Sequence, residues 1–268
     1  VLKVIAIVVG FFMTAVAILP VGGQESVTIP TRSGAGDVLQ LPGVLHRPGG
    51  GGRLPAVVML CGCAGYSGPE DARHQRTWAG RLVSWGYVAL QVDSLTPRGV
   101  SEDCGQPFRV TGVMRAVDAF GAKQYLATLP FVDPARIAVI GWSAGGLAVM
   151  RTIDKAVRDR KATPFKAAVA FYPWCEAPAE PDTPVLVLIG RKDEYNSIEE
   201  CEGLRAKSTG PGWRTEFSLV VYPDAHHSFD YEGLEANPPA WTDEFDPVAT
   251  ADAITRTRAF LAKYLGTR

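Results

Sequence analysis

Residues 136–147 read RIAVIGWSAGGL, an apolar run followed by a serine set among glycines. The run has a strand's length and no alternating polar position, the pattern of a strand buried on both faces of a mostly parallel sheet. From Ala144 the small and apolar residues continue with helical spacing. Gly141-Trp142-Ser143-Ala144-Gly145 thus fits G-x-S-x-G between a strand and a helix. On such a turn the serine is strained, its hydroxyl is exposed, and the glycines remove side chains that would collide there. The Ala144 N–H, at the start of the helix, points to where an oxyanion would form.

Further apolar runs of strand length flank this stretch: 56–60, 87–92, 167–172, 184–190 and 217–222, with earlier strands over Ser26–Thr31 and Val38–His46. Helical spacing recurs over 70–85, 110–129, 145–157, 198–208 and 247–265. Strand–helix alternation of this kind implies a doubly wound α/β sheet, with sites at the carboxyl ends of its strands. The glycine-rich run 47–55 reads as a hairpin or surface loop.

A serine hydroxyl needs a base, and the base needs an orienting acid. Of four histidines, His46 sits in an early strand and His74 in the first long helix, so both read as structural or solvated. His226 and His227 follow a late strand. Asp193 lies three residues beyond the strand ending at Gly190, with Glu194 as the rival acid, while Asp224 and Asp230 read as loop-surface charges. The chain order Ser143, Asp193, then His226 or His227 is that of an α/β-hydrolase triad.

The 268 residues carry 27 Lys and Arg against 28 Asp and Glu. That balance argues against nucleic acid as a partner, because phosphate binding draws on a basic surface, and favours a small-molecule substrate. No residue pattern calls for a metal or an organic cofactor. Residues 1–23 carry one early lysine, an apolar stretch from Val4 to Leu19 and a small-residue site at Ala15-Val16-Ala17. They read as a secretory signal, or alternatively as a retained N-terminal membrane anchor, leaving 24–268 as one exported domain, periplasmic or secreted. Export permits disulfides among the five cysteines. Cys175 and Cys201 flank the acid-bearing strand and are the first expected bridge, Cys63 with Cys104 the second, although spacing alone does not fix connectivity.

Five stretches, PAVVMLCGCAGYSG (55–68), GYVALQVDSLTPRG (86–99), GWSAGG (141–146), LVLIGRKDE (186–194) and YPDAHHSFD (222–230), together resemble the dienelactone hydrolase family, from about Gly43 to the C-terminus. The resemblance implies an α/β-hydrolase fold with a mostly parallel sheet of seven to eight strands. It selects His227, the histidine before Ser-Phe, as the base, and puts a second oxyanion donor at the Cys63 N–H. The sequence departs from the family where Ser143 stands in place of a cysteine nucleophile and Gly62 in place of an oxyanion-loop glutamate. Where the family holds the substrate carboxylate with an arginine after the histidine, this chain has Asp230-Tyr231. Arg98 remains a candidate contact, with a salt-bridged structural arginine as the alternative. Tyr66 and Trp142 are candidate pocket residues, with core packing the alternative for Trp142. Trp174 and Trp213 are rim candidates.

These residues point to an ester or lactone hydrolase acting through an acyl-enzyme. A peptidase or thioesterase on the same fold, or a non-catalytic binding protein, are the competing readings.

Overall fold

A computed structural model of the chain describes residues 23–32, 36–158, 162–234 and 244–266. The signal or anchor reading falls almost wholly on residues outside these. No helix among the described residues is long and apolar enough to cross a membrane.

Eight strands form one sheet: β1 (Gln24–Arg32), β2 (Val38–His46), β3 (Leu54–Leu60), β4 (Val88–Val92), β5 (Val132–Trp142), β6 (Ala168–Phe171), β7 (Val185–Gly190) and β8 (Phe217–Tyr222). Their order across the sheet is β1-β2-β4-β3-β5-β6-β7-β8. The β1–β2 hairpin joins antiparallel, and every pairing from β4 to β8 is parallel. In the central register Val58 of β3 lies between Leu90 of β4 and Val139 of β5. Every residue of β3, β4, β6 and β7 is buried, which accounts for their unbroken apolar runs. The edge strand β8 is largely half-buried.

Five helices connect and cover the sheet: α1 (Pro69–Ser84), α2 (Gly112–Thr128), α3 (Ala144–Thr152), α4 (Ile198–Lys207) and α5 (Pro247–Leu265). Thr111, Ser197 and Asp246 cap α2, α4 and α5 by accepting N–H groups of the first turn. Helix α3 is shorter than the spacing predicts. It stops before Asp154, whose carboxylate accepts the N–H groups of Ala156, Ala179 and Glu180 and draws the chain toward a distant loop. Trp78 of α1 packs on Trp142 and Phe171 at the ends of β5 and β6, extending the core beneath the site-bearing loops.

Candidate active site

Four parallel strands deliver the site. Ser143 follows β5, Tyr172 follows β6, Asp193 lies three residues past β7, and His227 lies in the loop after β8. Ser143 has φ 52° and ψ −117°, outside the comfortable regions for an L-residue. A Cβ at Gly145 would stand 2.2 Å from the Leu60 carbonyl oxygen, and one at Gly141 2.3 Å from that of Gly145. Only glycine lets the turn close so tightly against β3. Tyr172 (φ 38°) and Ser228 (φ 54°) are the other described non-glycine residues with positive φ. All three flank or contain the candidate machinery, where stored backbone strain tends to collect.

The side chains meet as a relay. His227 Nε2 lies 3.0 Å from Ser143 Oγ, and its Nδ1 2.9 Å from Asp193 Oδ2. A carboxylate can only accept, so Nδ1 carries the proton and Nε2 is left to accept from the serine hydroxyl. The other Asp193 oxygen accepts the N–H groups of Tyr195 and Asn196, at 2.9 and 3.0 Å. Two backbone donors thus fix the acid while its free oxygen fixes the imidazole. The rings of Tyr172 and Tyr195 lie against that imidazole, with centroids 4.6 and 4.7 Å away. The Asn196 side-chain amide donates to the Tyr172 carbonyl at 2.7 Å, joining the two flanking segments. Sequence reading missed Tyr172, Tyr195 and Asn196. Their one signal is position, directly after β6 or within three residues of the acid.

Across the cavity lies the loop after β3. Ala144 opens α3, so its N–H has no intrahelical acceptor. Cys63 lines the same cavity as Ser143 and Ala144. The loop is held from behind by the buried Arg115, whose guanidinium donates to the carbonyls of Cys61 and Gly62 at 3.2 and 3.3 Å. Cys63 is disulfide-bonded to Cys104, and its carbonyl accepts the Asp103 N–H. The second bridge joins Cys175 to Cys201. The remaining cysteine, Cys61, is buried, and burial pushes its thiol up to about 11, which leaves it an inert core residue at neutral pH.

Several sequence expectations need correction. Arg98 does not face the cavity: both of its terminal nitrogens bind the buried Asp118 carboxylate, at 2.8 and 3.0 Å. Trp142 is fully buried, pointing inward from the strand while the next residue turns out. Tyr66 donates toward the Val92 carbonyl at 3.4 Å and lines a separate groove beside β2. Asp230 is no surface charge but a buried hub. It accepts from His74 Nε2 (2.9 Å), Trp78 Nε1 (2.8 Å), Trp142 Nε1 (3.1 Å) and the Tyr172 hydroxyl (2.7 Å). Burial would raise its pKa, but pairing with His74 and these hydrogen bonds outweigh that and hold it below the usual carboxylate value.

The rival groups stand apart from the relay. His226 faces Glu244, 3.9 Å away, and Asp224 pairs with Lys192. Glu194 lies exposed on the cavity lining. Of the rim candidates, Trp174 lines the cavity, in edge contact with Phe108, whereas Trp213 packs on Phe217. His46 is half-buried beside Gln91. Among the described residues no group of three or more His, Cys, Asp or Glu side chains is placed to hold a metal ion.

A mostly parallel eight-stranded sheet with a serine on a strained turn and a histidine–carboxylate pair at its strand ends defines an α/β-hydrolase. The model of the dienelactone hydrolase family matches residues 41–265, and the chain belongs to that family. A solved structure of a putative dienelactone hydrolase from Klebsiella pneumoniae superposes with a TM-score of 0.70 at 20% identity, over 90% of this chain and 100% of that one. An uncharacterized protein of Mycobacterium tuberculosis is 30% identical over 234 residues, 80% of this chain and 75% of its own. A probable dipeptidyl-aminopeptidase B of Metarhizium robertsii is 33% identical over 104 residues, 35% of this chain but 11% of its own. The chain thus spans about a tenth of the first curated relatives it matches.

Proposed function

We propose that the protein is an exported serine hydrolase that cleaves small carboxylic esters or lactones through an acyl-enzyme on Ser143. The observation that carries this reading is the unbroken relay Asp193–His227–Ser143, built on strained backbone at the strand ends. His227 Nε2 takes the hydroxyl proton as Oγ attacks the acyl carbonyl. The N–H groups of Cys63 and Ala144 receive the developing oxyanion. When the carbon–oxygen bond to the leaving alcohol breaks, His227 returns the proton to that alcohol. Water then attacks the acyl-serine by the same route, and Asp193 stabilises the transient imidazolium throughout. Two disulfides support maturation in an oxidising compartment, outside the cytoplasm.

The test is chemical. p-Nitrophenyl acetate should release a rapid burst of one nitrophenol per protein, and intact-mass analysis after acid quench should find an acetyl group on the peptide holding Ser143. Acetylation elsewhere, or none with turnover intact, would sink the acyl-serine reading. A peptidase reading gains support from the local similarity to dipeptidyl-aminopeptidase B. It predicts release of nitroaniline from dipeptide anilides at rates matching the esters.

The two disulfides give an internal control. They close 41 and 26 residues, which by chain entropy makes each worth about 3–4 kcal/mol. Replacing either pair with alanines should therefore lower the unfolding midpoint similarly. Only loss of Cys63–Cys104 should also lower kcat, by about tenfold to a hundredfold, because it frees the loop offering the Cys63 N–H. Equal kcat in the two variants would remove that loop from the oxyanion role.

A further inference from the structure

The cavity in front of Ser143 and His227 has a volume of about 650 Å³, and its lining is electrostatically one-sided. Glu70, Asp71 and Glu194 lie on it, and no lysine or arginine does among the described residues. Glu70 and Glu194 are exposed, and neither side chain has an ion pair or hydrogen bond among the described residues. Asp71 is half-buried, with one oxygen accepting from the Tyr231 hydroxyl at 3.3 Å. Burial raises the Asp71 pKa, the Tyr231 hydroxyl and the nearby His74 partly offset that rise, and the Glu70 charge adds a smaller upward push. A positive charge placed in this cleft would favour the ionised carboxylate. Phe108, Trp174 and Tyr195 add aromatic side chains to the lining, the groups that attract a cation over the ring face. The one arginine suspected of contacting an anion, Arg98, is neutralised by Asp118 outside the cavity.

Acyl transfer forms an oxyanion beside Ser143 as His227 becomes an imidazolium, so a neutral substrate brings no net charge for the three carboxylates of the lining to act on. A carboxylate-bearing substrate meets repulsion on entry, whereas a cation carried by the substrate is attracted into the cleft. We propose that this cavity selects acyl substrates bearing an ammonium or quaternary ammonium group, over neutral ones and most strongly over those bearing a carboxylate. The inference rests on the hydrolase reading above and names the substrate class for that site.

Four esters matched in size test it by titration of released acid: butyrylcholine; its neutral isostere, with carbon in place of the ammonium nitrogen; an analogue whose alcohol ends in a carboxylate; and an ester carrying trimethylammonium on its acyl chain. At low salt, kcat/KM for at least one cationic ester should exceed the neutral isostere by about tenfold, and high salt should shrink the ratio. The cationic ester that responds locates the charge in the alcohol or the acyl part. The carboxylate ester should be the slowest. In Glu70→Gln/Glu194→Gln the cation-to-neutral ratio should fall toward one. Equal rates for cationic and neutral esters, or a ratio unchanged in the double variant, would overturn the proposal.

Calorimetry separates this from the hydrolase reading itself. Ser143→Ala should bind phenyltrimethylammonium and not benzoate, and the binding should weaken with salt and with the double substitution. Selective cation binding in a protein that cleaves no ester would keep the charge preference and reject the hydrolase. Ester cleavage with equal binding of the two ions would do the reverse.

Discussion

Ser143→Ala should lower kcat for the preferred ester by at least about 10⁴-fold while leaving substrate binding and the unfolding midpoint nearly unchanged. At 1.36 kcal/mol per decade the loss corresponds to about 5 kcal/mol of transition-state stabilisation. The fold should survive because alanine needs the same unusual backbone conformation as serine and removes only an oxygen from the cavity edge. That oxygen is bonded to His227 and not to any core group. Without it the imidazole has no protein nucleophile to deprotonate, and the remaining donors can assist only direct attack by water. His227→Ala should cost about as much. Combining the two should cost little more than either alone, because residues acting as one unit are not additive. Asp193→Asn should lose about 10⁴-fold for a different reason: an amide in that place favours the wrong imidazole tautomer. Retention of more than about one per cent of turnover in Ser143→Ala would place the nucleophile elsewhere.

The juxtaposition of Ser143 and Asp193 with the histidine pair at 226–227 is legible because each follows a largely apolar run of strand length by a short interval, and only the resemblance to the dienelactone hydrolase family singles out His227. Parallel strands covered on both faces advertise themselves, and their carboxyl ends are where side chains converge. What surrounds the relay was not legible. Trp142 was a pocket candidate because it adjoins the serine in sequence, yet it ends the strand pointing inward while Ser143 begins the turn. Arg98 finds its partner twenty residues on, at Asp118 of α2, a buried carboxylate that no local pattern distinguishes from a solvated one. Tyr172 and Tyr195 flank His227 only because β6 and β7 lie side by side, with Phe171 at the end of β6 level with Leu188, two residues before β7 ends. Asp230 misled for the same reason. In sequence it is a polar residue in a loop, and its four donors come from α1, β5 and the β6 loop.

Asp230 should prove the most consequential residue outside the relay. Three residues after His227, its carboxylate gathers the side chain beside Ser143, the tyrosine that lies against His227 and two residues of α1. It therefore ties the Ser143 turn and the histidine loop to one buried point. Asp230→Ala would leave four buried donors facing a void, and breaking a buried charged cluster by removing one member costs about 3–5 kcal/mol. For a chain of this size that is a fall of about 10 °C in the unfolding midpoint. Activity should fall at temperatures where the variant remains folded, since Tyr172 and Trp142 lose their common anchor. Asp230→Asn tests whether charge or shape matters. The amide oxygen can accept two of the four hydrogen bonds, but its NH₂ turns donors toward donors, so stability should recover only in part. The pH dependence gives an independent reading. Because folding depresses this carboxyl's pKa below its usual 3.8, its contribution is present above that value and is lost as pH falls through the lower folded-state value. The stability gap between the wild-type protein and Asp230→Ala should therefore be constant near neutrality and narrow below about pH 4. A gap that stays constant into the acid range would mean that packing, and not the charged carboxylate, holds the loops together.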